Sequence, residues 1–162
     1  MQSAMDTFYV VLRDRLTQIN SARTVVLRGV TRQGVLVAEN ELATSFFMSD
    51  AFWVRWVTVS ADDSDALVTM TCEISYATDG TPGNGGMDRE RLLAAMDLEL
   101  ATALRRDPQN VSKTAYTSAG ATTMWTNVFW TDPAFGKMGV EGERLSRTAT
   151  VEVFAYREAG EL

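Results

Sequence analysis

From Val68 to Tyr76 the chain alternates strictly. Val68, Met70, Cys72, Ile74 and Tyr76 are apolar or aromatic, and Thr69, Thr71, Glu73 and Ser75 between them are polar. Side chains of a strand point to opposite faces in turn, so a period of two marks a strand with one face buried and one wet. This fixes residues 66–77 as a sheet strand and requires other elements to cover its apolar face. The polar turn Ala61-Asp-Asp-Ser-Asp65 precedes it, and Thr78–Gly86, with four glycines, follows as a permissive loop.

Two segments have the helical period that could supply the cover. Met5, Phe8, Leu12, Leu16 and Ile19 form one stripe, predicting a helix over 3–19, with Ser3 and Asp6 as a weak capping box. Leu92, Leu93, Met96, Leu100, Ala103 and Leu104 form another. Asp88 stands at its N-cap, Met87 is placed to staple onto Leu92, and Pro108 bars its continuation. Short β-branched runs at 23–28 and 34–38 read as paired strands. Ala51–Val59, apolar on both faces, reads as a central strand or as one whose second face covers a partner. Residues 112–117, 122–131 and 145–156 read as further strands, with a loop at 132–143 and a frayed tail at 157–162. Strands grouped between isolated helices predict a single α+β domain over 1–162: a mainly antiparallel or mixed sheet, two amphipathic helices on one face, and spare apolar surface on the other.

Composition narrows function. The chain carries 21 acids against 15 bases, a net charge of −6, which suits no phosphate-gripping surface. Arg105-Arg106 is the densest basic pair and falls at a helix end, where cations complement the terminal carbonyls. Histidine is absent, which removes the usual neutral-pH base and metal ligand and lowers the expectation of catalysis. The single cysteine, Cys72, lies in the alternating strand and reads as a packing thiol, with no disulfide or multi-cysteine zinc site. The start Met1–Asp6 lacks a signal-peptide pattern, and no run approaches the ~20 apolar residues of a membrane span, so the expected site of synthesis and use is the cytosol.

Four features invite site readings. Gly83-Asn-Gly-Gly86 before a helix suggests a phosphate cradle, but lacks the Lys-Ser/Thr ending of a P-loop, and Asp88 would repel an anion. Asp62, Asp63 and Asp65 suggest calcium, but lack the glycine and glutamate of an EF-hand loop. Trp53, Trp56, Trp125, Phe129 and Trp130 could stack bases or sugars, yet no basic residues accompany them, so packing or a subunit interface is favoured. Lys137, between Glu141, Glu143 and Phe135, looks wet, and its loop reads as an arm that orders against a neighbour. The expected interface residues are Trp53, Trp56, Trp125, Trp130, Phe135, Lys137, Gly83 and Asn84. No catalytic, cofactor or metal residue is assigned.

This order of elements resembles the tail terminator proteins of long-tailed bacteriophages. The stretches that carry the resemblance are the helix at 3–19, the unit Ala66–Asp79 running on through Met87–Leu100, and the closing strand Arg144–Tyr156. The longer loops at 78–86 and 132–143 depart from smaller members. The resemblance implies a ring-forming subunit, commonly hexameric, that caps the tail tube and presents a surface to a head-completion or connector protein. DNA would pass through the ring, no cofactor or membrane would be involved, and the protein would be assembled in a bacterial cytoplasm into the virion tail. The alternatives are another head–tail connector, and a small-molecule-binding domain or enzyme using carboxylates such as Glu73 and Asp79.

Overall fold

The computed structural model of the protein describes residues 1–41, 48–62, 64 and 66–161. Its elements are α1 (Gln2–Ile19), β1 (Thr24–Leu27), β2 (Val30–Gln33), β3 (Val35–Val37), a short 3-10 turn (Ala38–Glu41), β4 (Phe52–Ala61), β5 (Leu67–Thr78), α2 (Arg89–Arg105), β6 (Asn110–Thr117), β7 (Gly120–Trp130), β8 (Ala134–Phe135), β9 (Gly139–Glu141) and β10 (Arg144–Tyr156). The alternating strand β5 lies at the centre. It pairs antiparallel with β10 from Leu67↔Tyr156 to Thr78↔Leu145, and with β4 on its other side. The sheet order is β3-β4-β5-β10-β7-β6. Only β3–β4 among these neighbours is parallel.

Both helices pack on one face, as the two apolar stripes require, giving the expected α+β architecture. Phe8, Leu12 and Leu16 of α1 and Leu93, Met96, Leu100 and Leu104 of α2 meet Met70, Cys72, Ile74, Val151 and Val153 of the sheet in one core. Arg15 of α1 ties the layers together. Its guanidinium donates to the carbonyls of Ala103, Arg106 and Pro108 at 3.0, 2.9 and 2.8 Å, filling the acceptors that a helix end leaves open.

Several details differ from the sequence expectation. Residues 24–27 pair with 30–33, not with 34–38, because Arg28 and Gly29 both take positive φ (52° and 78°) and make a two-residue reversal. The second run becomes β3, parallel to β4. Ser3 lies inside α1, whose N-cap is Met1 with no side-chain cap. Ile19 is 41% exposed, beyond the reach of the sheet, and Met87 is 85% exposed, so it staples nothing. Asp88 precedes α2 but makes no cap bond. It accepts from the Thr81 N–H and hydroxyl instead, tying down the glycine loop. Gly86 in that loop has φ 72°, and a Cβ there would fall 1.9 Å from the guanidinium carbon of Arg89.

The segment 132–143 is not a free loop. Ala134 and Phe135 pair with Thr150 and Ala149, and Gly139–Glu141 pair with Ser146–Arg144, all on β10. Nor is the tail frayed over its described part, since Glu158 and Glu161 are bonded to Thr126 and Lys113. The sheet face away from the helices is polar along its middle, where surplus apolar surface was expected. Arg55 pairs with Glu73 at 2.9 Å, Thr58 donates to Thr71, Thr71 donates to Glu152, and Ser75 bonds Thr148. Exposed apolar side chains are scattered instead, with Phe129 and Tyr156 near the ends of β7 and β10 and Trp125 within β7.

Candidate interaction surface

The most exposed of these side chains, Trp125, lies on the β6–β7 hairpin. The two strands pair from Asn110↔Phe129 to Thr117↔Gly120, but β10 follows β7 only over Val128–Trp130. The outer half of the hairpin therefore runs past the end of β10 as an arm. At its base, Thr7 of α1 accepts the Thr114 N–H at 2.9 Å and donates to the Ser3 carbonyl at 2.6 Å. The buried Lys113 donates to the Tyr156 carbonyl and to Glu161, both at 2.6 Å. Thr126 donates its N–H to Glu158 at 2.8 Å. Beyond that braced base the arm is exposed, and Trp125 is 98% exposed.

Phe129 and Phe154 are direct partners across the β7–β10 pair. Residues two apart on a strand share a face, so Tyr156 follows Phe154. Phe129 and Tyr156 are exposed, and they extend the apolar ground at the arm's base. From Thr114 to Thr126 the sequence has no charged residue, in a chain 22% charged. The neutrality of this stretch was readable in the sequence. That it projects was not, because projection depends on where β10 ends.

The expected interface residues scatter. Trp125 alone among the tryptophans faces outward. Trp53 and Trp130 are corrected to interior positions: Trp53 packs with Val25, Leu27, Leu36 and Ala51 in a second small core, and Trp130 donates its indole N–H to the Leu104 carbonyl at 2.9 Å. Both are packed away because their strands there are covered by neighbouring elements. Trp56 is half-buried, edge-on to Phe8 at 5.8 Å. Phe135 packs from β8 against the main core. Lys137 is exposed in the segment stitched to β10, and Gly83 and Asn84 are exposed in the loop held by Asp88.

The chemical candidates do not converge. Glu73 is paired to Arg55, and Asp79 is gripped by Arg144 at 2.8 and 3.0 Å; this Arg144 bond holds the Asp79 carboxyl below its ordinary pKa. The two acids lie six positions apart along nearly extended chain, about 20 Å. A cleft of about 220 Å³ near Ser75, Tyr76, Arg144 and Arg147 places Arg147 3.0 Å from Asp97. Burial, then the Asp97 contact, drives the Tyr76 hydroxyl far above its ordinary pKa. Burial does the same to the Cys72 thiol. Asp63 and Asp65 of the acidic turn lie outside the described residues; Asp62 holds the turn through Ser64 and the Ala66 N–H.

No protein-family model matches the chain, and no curated protein matches it. Solved structures do match, thirteen chains in all. One of them, known by a bare sequence label, aligns over 99% of both chains with a TM-score of 0.52 and 13% identity. A likeness at that identity speaks to fold alone.

Proposed function

We infer that this chain is a structural subunit that works by contact with copies of itself and a neighbouring assembly protein. The reading supported best is a tail terminator-like subunit of a phage or prophage: a ring that caps the tail tube and offers the head-joining surface. The observation that carries it is the uncharged β6–β7 arm, braced at its base and ending in an exposed Trp125. Aromatic anchors of this kind dominate protein interfaces, and a solitary soluble chain gains nothing from exposing one on a projecting hairpin. The acidic balance suits a ring through which DNA passes without adhering.

The test is mass in solution by light scattering, with and without tail tubes, joined to electron microscopy of particles lacking the protein. Ring-sized association and tubes of uncontrolled length are the expected results. Normal-length tails that fail to join heads would instead indicate a connector. A chain that stays monomeric and leaves tube ends bare would remove the tail reading.

A further inference from the structure

Besides the outer sides of the terminal strands β3 and β6, the sheet leaves backbone without a strand partner along two segments among the described residues. Beyond Val54 no strand among the described residues pairs with the outer side of β4. Of that edge, the Trp56 N–H is taken by the Glu39 carboxylate at 3.3 Å. A bulge between Trp56 and Thr58 turns Val57 out, after which the ladder to β5 resumes through Ala61. Val57 and Val59 are 44% and 45% exposed. On the other side of the sheet, Ala121–Trp125 of β7 has β6 on one flank and no strand on the other among the described residues.

Open edges template pairing with another chain, and natural proteins defend them with charges, prolines or covering elements. Among the described residues, charged groups stand only at the margins of these edges: Arg55 and the Glu39 carboxylate at the start of one, and Glu158 on the Thr126 N–H at the end of the other. Trp56–Ala61 and Thr114–Thr126 contain no charged residue and no proline. In a chain of net charge −6, copies repel on average, and uncharged edges are where they can approach. Both edges carry β-branched residues, Val57, Thr58 and Val59 on one and Thr122 and Thr123 on the other, and they lie toward opposite ends of the strand order.

We propose that the arm of one copy adds to the outer edge of β4 in the next, Ala121–Trp125 against Val57–Ala61, so that neighbouring sheets join edge to edge. Strand addition supplies backbone hydrogen bonds, and alternate side chains supply fit. The contact uses two different surfaces and is therefore heterologous, closing into a ring or running on as a filament. It brings Trp125 onto apolar ground at the neighbour's Val57 and Val59. The inference deepens the self-assembly part of the function proposed above and rests on it, but not on the tail.

The experiment uses the full chain in two single-substitution forms, Ala121→Cys and Val59→Cys, mixed and treated with a short bis-maleimide crosslinker, with and without tail tubes. The native Cys72 is fully buried and serves as a silent background. Crosslinked pairs should form in the mixture and remain at the wild-type background in each form alone. In parallel, Thr122→Pro and Thr122→Lys should raise the concentration for half-association at least tenfold while circular dichroism stays native. No crosslinking above background in either condition, or unaltered association of a folded Thr122→Lys chain, overturns the proposal. Crosslinking without tube capping would sink the tail reading and leave this one standing; capping without crosslinking would do the reverse.

Discussion

The Lys113 ammonium lies 2.6 Å from the Glu161 carboxylate, with the lysine 0% exposed and the acid nearly as deep. The other Glu161 oxygen faces the Met1 nitrogen at 2.7 Å, and Glu158 stands 3.9 Å from the same ammonium. A buried charge is tolerated when paired and becomes expensive when its partner is removed. Lys113→Met should therefore destabilise the fold by about 3 kcal/mol, read as a lower urea midpoint at unchanged slope. Adding Glu161→Gln should recover part of the loss. An unchanged midpoint for the single variant would show that the cluster contributes nothing.

The same cluster sets an acid dependence. Burial alone would raise the Glu161 carboxyl, but Lys113 and the Met1 nitrogen together hold it below its ordinary pKa. Thr126 hydrogen bonds do the same for Glu158. An acid whose folded pKa is depressed contributes stability that is present above its unfolded value, about 4.3 for glutamate, and lost as pH falls through the lower folded value. Wild-type stability should drop on acidification below that point. The gap between wild type and Lys113→Met should narrow over the same range, followed by urea midpoints from about pH 6 to pH 3. A gap that stays constant would contradict the assignment.

Much of the fold was legible because the signals are local. The alternation at Val68–Tyr76 and the stripes through Phe8 and Leu100 each report one buried face, and the structure buries those faces. Lys113 was not legible. A lysine between Ser112 and Thr114 reads as the wet side of a strand, and only the return of Glu161 from 48 positions away makes its burial affordable. The 132–143 segment departs from the sequence expectation for a related reason. Its glycines suggest a free arm, whereas Gly139 allows close approach to β10: a Cβ there would lie 2.6 Å from the Ser146 hydroxyl. The exposure of Trp125 follows from where β10 stops, which no window around residue 125 contains.

Thr7 braces the arm from α1, accepting the Thr114 N–H at 2.9 Å. Replacing it by valine keeps the shape and removes the acceptor, leaving that amide unsatisfied, at a loss of about 1–3 kcal/mol. The Thr114 amide should exchange with deuterium faster in Thr7→Val, while Thr7→Ser, which restores the oxygen, should return it toward wild type. Equal exchange in valine and serine variants would mean that packing, not the hydrogen bond, holds the base of the hairpin.

Trp125 and Trp130 lie five residues apart on one strand and should respond oppositely to alanine. Trp130 sits in the core, edge-on to Phe8 at 5.8 Å, with the Arg15 guanidinium 5.0 Å from its ring and its N–H on Leu104. Its loss leaves a large cavity and removes one of the two hydrogen bonds to the Leu104 carbonyl, which Gln109 also reaches at 3.1 Å, so Trp130→Ala should cost about 3–5 kcal/mol. Trp125 touches little within its own chain, and Trp125→Ala should leave stability within about 0.5 kcal/mol. If the arm is the assembly element, that same substitution should weaken self-association by about tenfold or more, read by light scattering on chains of matched thermal stability. A Trp125→Ala chain that melts and assembles like wild type would remove the aromatic tip from the contact, while one that melts early would show that Trp125 packs against its own chain.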